Sequence, residues 1–358
     1  MVELLPLSQA WDLRENLGEF LTTTFSVSEP ATRQALNEFL EDPQTGLFKG
    51  PYTRLRLPFA PSHDNWENYV PTLYKALEEQ GALKGPSAFQ PYGHQVEAWK
   101  RITTADGHEP QPTLVTTGTG SGKTEAFLMP VLDHCARANA EGVTGTKAII
   151  LYPMNALAND QAARLAELIS TTEPYKGVTA AIYTGEQKSK EQRTKVSKHG
   201  LINVQDVIRS DAPDILLTNY KMLDHLLLRH ADANIWKQSA DSLTYLVLDE
   251  FHAYDGAQGT DVAMLLRRLG LTLKAEASPL RSEDWTTPLG PITPIATSAT
   301  MGGDDDAEAM LGFASQVLGL QLGDDAVVTE TRMSWDEWSA GAREHVESKP
   351  PGRRALRS

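Results

Sequence analysis

Between residues 113 and 300, short runs of aliphatic and β-branched residues alternate with longer stretches of helical period. That alternation leaves few folds open. The runs 113–117, 147–152, 179–183, 215–218, 243–248 and 294–297 are mostly aliphatic and β-branched, as suits strands buried on both faces. Between them, segments 123–140, 156–170, 222–230 and 260–273 carry apolar residues at helical spacing. Strand, helix and strand in this rhythm predict βαβ crossovers, hence an α/β fold of three layers with a parallel sheet in the middle. Ligands in such sheets bind at the carboxyl ends of the strands, so the loops that follow the strands are where chemistry is expected.

Outside this region the alternation stops. Residues 1–85 are rich in proline and read as a mainly helical accessory region, 86–330 as the α/β domain, and 331–358 as a linker or frayed tail. The 358 residues include 33 Lys and Arg against 47 Asp and Glu, a formal charge of −14 that argues against a uniformly basic nucleic-acid coat protein. The acid is uneven: residues 1–85 hold 7 basic and 12 acidic side chains and 301–358 hold 6 and 11, leaving only −4 across 86–300. A nearly neutral middle has room for a local cationic face. Cys135 is the only cysteine, which excludes an intrachain disulfide and a thiolate zinc site. No apolar run approaches the ~20 residues that span a bilayer, and the first residues lack the basic start of a secretory signal. A cytoplasmic protein with no membrane partner is expected.

Three strand ends carry chemistry. After the first comes Thr117-Gly118-Thr119-Gly120-Ser121-Gly122-Lys123-Thr124, leading straight into a helical stretch. Glycines let such a loop wrap an anion with backbone N–H groups, and the helix N-terminus adds its positive dipole end. Lys123 would reach the β- and γ-phosphates of a nucleoside triphosphate and the Thr124 hydroxyl would hold Mg2+. One departure from the general pattern is Thr117, which stands where the opening glycine is usual. The fifth run delivers Asp249-Glu250-Phe251-His252, where Asp249 can hold Mg2+ through its water shell and Glu250 can orient and deprotonate an attacking water. The sixth ends in Thr297-Ser298-Ala299-Thr300, whose last three residues are small, two with hydroxyls, and would let the loop lie against the DEFH segment and hydrogen-bond to it.

GSGKT, DEFH and SAT in this order on a βα scaffold resemble the DEAD/DExH-box superfamily 2 helicases, and specifically their N-terminal RecA-like lobe. The resemblance implies a P-loop NTPase that uses ATP and Mg2+, with His252, Ser298, Ala299 and Thr300 coupling hydrolysis to movement. Upstream, Tyr92-Gly93-His94-Gln95 is similar to the family's Q motif: the Gln95 amide would pair with the adenine edge while Tyr92 packs on the base. Gly118, Thr119, Gly120, Ser121 and Gly122 would cradle the phosphates. Pro153 and Asn155 after the second strand, Thr184 and Gly185 after the third, and Thr218 and Asn219 after the fourth resemble the loops that grip one nucleic-acid strand by its backbone. The segment 255–262 followed by AMLLRRL resembles the helix after motif II in large bacterial Lhr-like DNA helicases and relatives with a cysteine-containing C-terminal domain. DNA is therefore expected over RNA. The lysine-rich stretch 186–198 reads either as a nucleic-acid contact or as a solvated insertion.

A motor of this family clamps ATP between two RecA-like lobes, the second bringing arginine fingers. Only 58 residues follow Thr300, so the expectation is a chain cut before that second lobe, with the lobe or a partner chain supplied from elsewhere. Two alternatives stay open. One is a nucleotide-dependent, non-catalytic binding module that works with a partner chain; the other is a P-loop enzyme of different purpose, such as a kinase.

Overall fold

The computed structural model of the 358-residue chain describes residues 6–24, 28–42, 44, 46, 56–84, 88–118, 120–185, 192–283, 285–299 and 304–340. Thr119, Thr300, residues 186–191 of the lysine-rich stretch and the tail from 341 lie outside these residues. Two compact units result, Met1–Leu57 and Pro58–Ser358. The first contains α1 (Pro6–Thr24) and α2 (Pro30–Glu41). Helix α2 starts cleanly because Glu29 accepts the N–H groups of Ala31 at 3.2 Å and Thr32 at 2.6 Å, two of the donors a helix start leaves unpaired.

The second unit carries α3 (Pro71–Glu79), α4 (Gly93–Ile102), β1 (Thr113–Thr116), α5 (Lys123–Ala140), β2 (Ala148–Tyr152), α6 (Asn155–Thr171), β3 (Ala180–Tyr183), α7 (Gln205–Ser210), β4 (Ile215–Asn219) and α8 (Tyr220–Leu228). It continues with α9 (Ala233–Ser239), β5 (Tyr245–Leu248), α10 (Gly256–Glu276), α11 (Pro279–Glu283), β6 (Thr293–Ser298), α12 (Asp304–Leu318) and β7 (Val327–Thr329). The seven strands form one sheet in the order β3-β4-β2-β5-β6-β1-β7. Every pairing in it is parallel. Side chains alternate strictly between its faces: Ala148, Ile150 and Tyr152 of β2 join a core with α3 to α6, whereas Ile149 and Leu151 join a second core with α8, α9, α10 and α12. Helices on both faces explain why the strands read as unbroken apolar runs. No helix among the described residues is long and apolar enough to cross a membrane.

Three features depart from the sequence reading. Strand β7 was not anticipated; three residues are too few to show a period. Residues 58–84 do not stand apart from the sheet, since Trp66, Val70 and Leu73 belong to the first core and the Thr72 N–H donates to the buried Asp133 at 2.8 Å. The compact units divide before Pro58 rather than near residue 85. Residues 331–333, read as the start of a linker, pair instead with residues 58–60, through Ala60 N–H to Thr331 O at 2.8 Å and Met333 N–H to Pro58 O at 3.0 Å.

At the amino ends of the strands, away from the loops of interest, sits a buried charge pair. Lys147, 1% exposed, donates to Asp214 at 2.6 Å and to the carbonyls of Val143 and Gly145. The other Asp214 oxygen accepts from Asn139 and from both the N–H and the hydroxyl of Thr179. One carboxylate thus ties α5, β2, β3 and β4 together. Removing it strands a buried ammonium, so Asp214→Ala is expected to cost about 3–5 kcal/mol, read as a lowered midpoint in urea unfolding.

His134, on the sheet-facing side of α5, has Nδ1 2.7 Å from the Thr104 hydroxyl and its ring edge-on to Tyr245. Burial, reinforced by the charge of Arg137, holds its pKa down to about 4 from 6.5. A histidine whose folded pKa is depressed favours the folded state fully above 6.5. As pH falls from 6.5 towards 4, the unfolded chain takes up the proton first and stability is lost, at up to about 1.4 kcal/mol per pH unit. Urea melts across that range should show a shallower acid slope in His134→Gln than in the parent chain.

Candidate functional site

Strands β5, β6 and β1 are neighbours, so the sheet order alone brings the three motif-bearing strand ends side by side. After β1 the chain turns through Gly120 (φ 80°) and Gly122 (φ 78°), left-handed conformations open to glycine without strain. A Cβ on Gly122 would also meet the Gln95 amide nitrogen at 2.4 Å. Thr117, which departs from the usual glycine, is fully buried; its hydroxyl lies 2.7 Å from that of Ser121 and braces the loop. Helix α5 begins at Lys123 with Gly122 as its cap and no side chain capping its first turn, which leaves those N–H donors for an anion. Thr124 occupies the second position of that turn, half-buried. Thr119 and Thr300 are outside the described residues.

Lys123 reaches across to the end of β5. Its Nζ is 3.5 Å from Glu250 Oε1, while Glu250 Oε2 is 3.5 Å from His252 Nδ1. The same imidazole nitrogen lies 3.3 Å from the Ser298 hydroxyl at the end of β6. A continuous polar line therefore runs from the phosphate loop through both residues of the DEFH segment to the SAT segment. Ala299 follows Ser298 as a small residue at this junction and supplies only backbone here: its carbonyl accepts the Ser298 hydroxyl at 3.3 Å. Asp249 is 8% exposed, and burial pushes its carboxyl pKa up. A carboxylate held in that state at a strand end gains from a cation beside it. Thr124 and Asp249 are the two oxygen ligands expected for Mg2+, an ion that keeps several waters and takes few protein groups. Among the described residues no cluster of three or more His, Cys, Asp or Glu could hold a metal.

Glu250 itself has φ 49° and ψ 51°. Only it and Asp106 adopt positive φ among the described non-glycine residues, a conformation that costs about 1–2 kcal/mol. Thr297, fully buried on β6, explains how this holds: its hydroxyl donates to Asp249 Oδ1 and accepts the Glu250 N–H at 3.2 Å.

The Q-like segment abuts the phosphate loop from the other side. Gln95 Oε1 accepts the Tyr92 N–H at 2.9 Å and its Nε2 donates to the Gly122 carbonyl at 3.2 Å. Both ends of the amide that sequence reasoning aimed at adenine are engaged with backbone in this structure. His94 Nε2 lies 2.8 Å from the Ser121 carbonyl, and burial lowers the pKa of its ring. Tyr92 stacks on His94 with ring centroids 5.6 Å apart and sits 5.4 Å from Phe59, over which the Arg332 guanidinium lies at 4.2 Å. Glu330, just past β7, pairs with Arg332 at 2.8 Å and accepts the Gly118 N–H at 2.6 Å. His94, Thr297, Glu330, Arg332 and Phe59 were all missed as site residues. His94 lies inside the Q-like segment and Thr297 at the end of the sixth strand run, whereas Phe59, Glu330 and Arg332 carry no sequence signal.

A second surface forms where β2, β3 and β4 end. Pro153, Asn155, Gly185 and Asn219 line one groove together with Lys221 and Gln258. Asn219 caps α8 through the Met222 N–H at 2.8 Å and donates to Asn155 Oδ1 at 2.5 Å, joining two of the expected nucleic-acid loops. Thr184 precedes the exposed Gly185 and is half-buried. Thr218 does not face the groove; it is fully buried and donates to the Tyr183 carbonyl at 2.7 Å.

Comparisons with known proteins bear on the family and the fold. Druantia protein DruE of Escherichia coli is 26% identical over 86% of this chain and 21% of its own length. The uncharacterized ATP-dependent helicase YprA of Bacillus subtilis is 32% identical over 57% of this chain and 25% of its own. The chain thus spans about a fifth to a quarter of these curated relatives. The crystal structure of helicase MrfA bound to DNA and AMPPNP shares the fold, with a TM-score of 0.53 at 22% identity over 76% of this chain and 30% of that one. A sequence profile described as DEAD/DEAH box helicase matches residues 92–308, well over half of the chain, and takes in the phosphate loop, the DEFH segment and the SAT segment. The chain belongs to the DEAD/DEAH box helicase family.

Proposed function

We propose that this chain is the ATP-binding lobe of a DNA helicase or translocase, which couples ATP hydrolysis to movement on, or unwinding of, DNA. The observation that carries this reading is the line Lys123–Glu250–His252–Ser298, which spans three neighbouring strand ends. Lys123 and the first-turn N–H groups of α5 would hold the β- and γ-phosphates, and Glu250 would orient a water and take its proton. Thr124 and Asp249 would hold Mg2+, whose charge would supply neutralisation at the phosphate oxygens. Once the phosphates draw Lys123 away, Glu250 is released to act as base and keeps His252 as its neighbour. His252 and Ser298 then carry the change towards the SAT segment, including Ala299 and Thr300.

The groove lined by Pro153, Asn155, Gly185 and Asn219 would grip the strand by its backbone, since amide and hydroxyl groups position phosphates without reading bases. DNA is favoured over RNA because the fold is shared with a helicase crystallised on DNA. The second RecA-like lobe, from a longer protein or a partner chain, would close over the nucleotide and supply the arginine fingers. ATP turnover with that lobe added, measured with single-stranded DNA and with single-stranded RNA, tests the reading. Stimulation by DNA is expected; turnover indifferent to nucleic acid would contradict it.

A further inference from the structure

We propose that Thr297 is a positioning residue for the two acids at the end of β5, holding Asp249 and Glu250 in register for metal binding and proton transfer. This rests on the nucleotide reading above and assigns a role to a residue outside the SAT segment. Three observations carry it. The Thr297 side chain is fully buried on β6, next to Ile295 and Ala296 of the core, so its hydroxyl needs a local partner. It has two, on consecutive residues: the hydroxyl donates to Asp249 Oδ1 and accepts the Glu250 N–H at 3.2 Å. Immediately after those two contacts the backbone enters the left-handed region at Glu250, with φ 49°.

One hydroxyl therefore fixes both the orientation of the Asp249 carboxylate and the backbone turn that aims Glu250 back at Lys123 and His252. Nothing local in the Asp249–Glu250 sequence favours that turn, because glutamate gains nothing from a positive φ. The constraint comes from the neighbouring strand, where Leu248 pairs with Ala296 and so sets Thr297 opposite Asp249. Valine at 297 keeps nearly the same shape but supplies neither bond; the carboxylate and the N–H would both lose a partner.

The test compares Thr297→Val and Thr297→Ser with the parent chain, using single-turnover ATP hydrolysis with protein in excess. A second readout is Mn2+ bound beside AMPPNP, followed by electron paramagnetic resonance. Loss of hydrogen bonds to a charged group should slow hydrolysis roughly tenfold in Thr297→Val. Mn2+ affinity should weaken as well, while metal-free AMPPNP affinity stays unchanged. Thr297→Ser, which keeps the hydroxyl, should restore both; a residue that only fills space would not show that rescue. If Thr297→Val fails to fold, Thr297→Ala removes the same hydroxyl without adding a methyl group. Parent-like hydrolysis and Mn2+ affinity in the hydroxyl-free variant, beside a Lys123→Ala chain that has lost hydrolysis, would overturn the positioning role and leave the nucleotide site standing. A Lys123→Ala chain that hydrolyses and binds like the parent would overturn both.

Discussion

Replacing Lys123 with alanine should reduce ATP hydrolysis by at least about a hundredfold, the scale seen when a preorganised charge on a reacting phosphate is removed. Lys123 sits at the first position of α5, its side chain 12% exposed, with its ammonium aimed at Glu250 across the mouth of the loop. Its removal takes away a side-chain cation positioned between the phosphate loop and Glu250. It also leaves Glu250 with one partner fewer. Nucleotide affinity should fall with turnover, because on this reading the ammonium would serve bound phosphates in the ground state as well. Single-turnover assays and equilibrium binding read the two effects separately.

Glu250→Gln should separate them. Glutamine keeps the shape and can still hydrogen-bond, but it cannot take a proton from water. Hydrolysis is therefore expected to fall about 10²–10⁴-fold, the usual contribution of a general base, with nucleotide bound as tightly as in the parent chain. The left-handed backbone at Glu250 is held by Thr297 rather than by the carboxylate, so the substitution should leave the turn intact. A Glu250→Gln chain that hydrolyses normally would remove Glu250 from the base role. One that loses nucleotide binding would show that its contact with Lys123 organises the loop in the resting state.

Much of this architecture was legible in the sequence for a physical reason. A strand covered by helices on both faces must be apolar at every position, so β2 (AIILY) and β5 (YLVL) announce themselves locally. The phosphate loop is legible because backbone wrapping demands glycine at particular places, and Gly120 and Gly122 do take positive φ. Helix α5 was readable to its last residue.

What stayed hidden depends on partners distant in sequence. Glu330 meets Gly118 across 212 positions, and Thr297 meets Glu250 across 47. Both contacts follow from sheet register, which no local period encodes. Within β6, threonine reads as an ordinary β-former; only the neighbouring strand makes its hydroxyl significant. Gln95 was singled out from the sequence, yet its present partners, the Tyr92 N–H and the Gly122 carbonyl, emerge only when α4 packs on α5. The segment 58–84 looks separate because proline interrupts its periodicity, whereas Trp66, Val70 and Leu73 anchor it to the core.

Calorimetric titration of AMPPNP into the chain, with Mg2+ present and then chelated, tests most directly whether the ends of β1, β5 and β6 form one nucleotide site. A single saturable site per chain is expected, weakened both by chelation and by Lys123→Ala. No binding, or binding indifferent to magnesium and to Lys123, would contradict it.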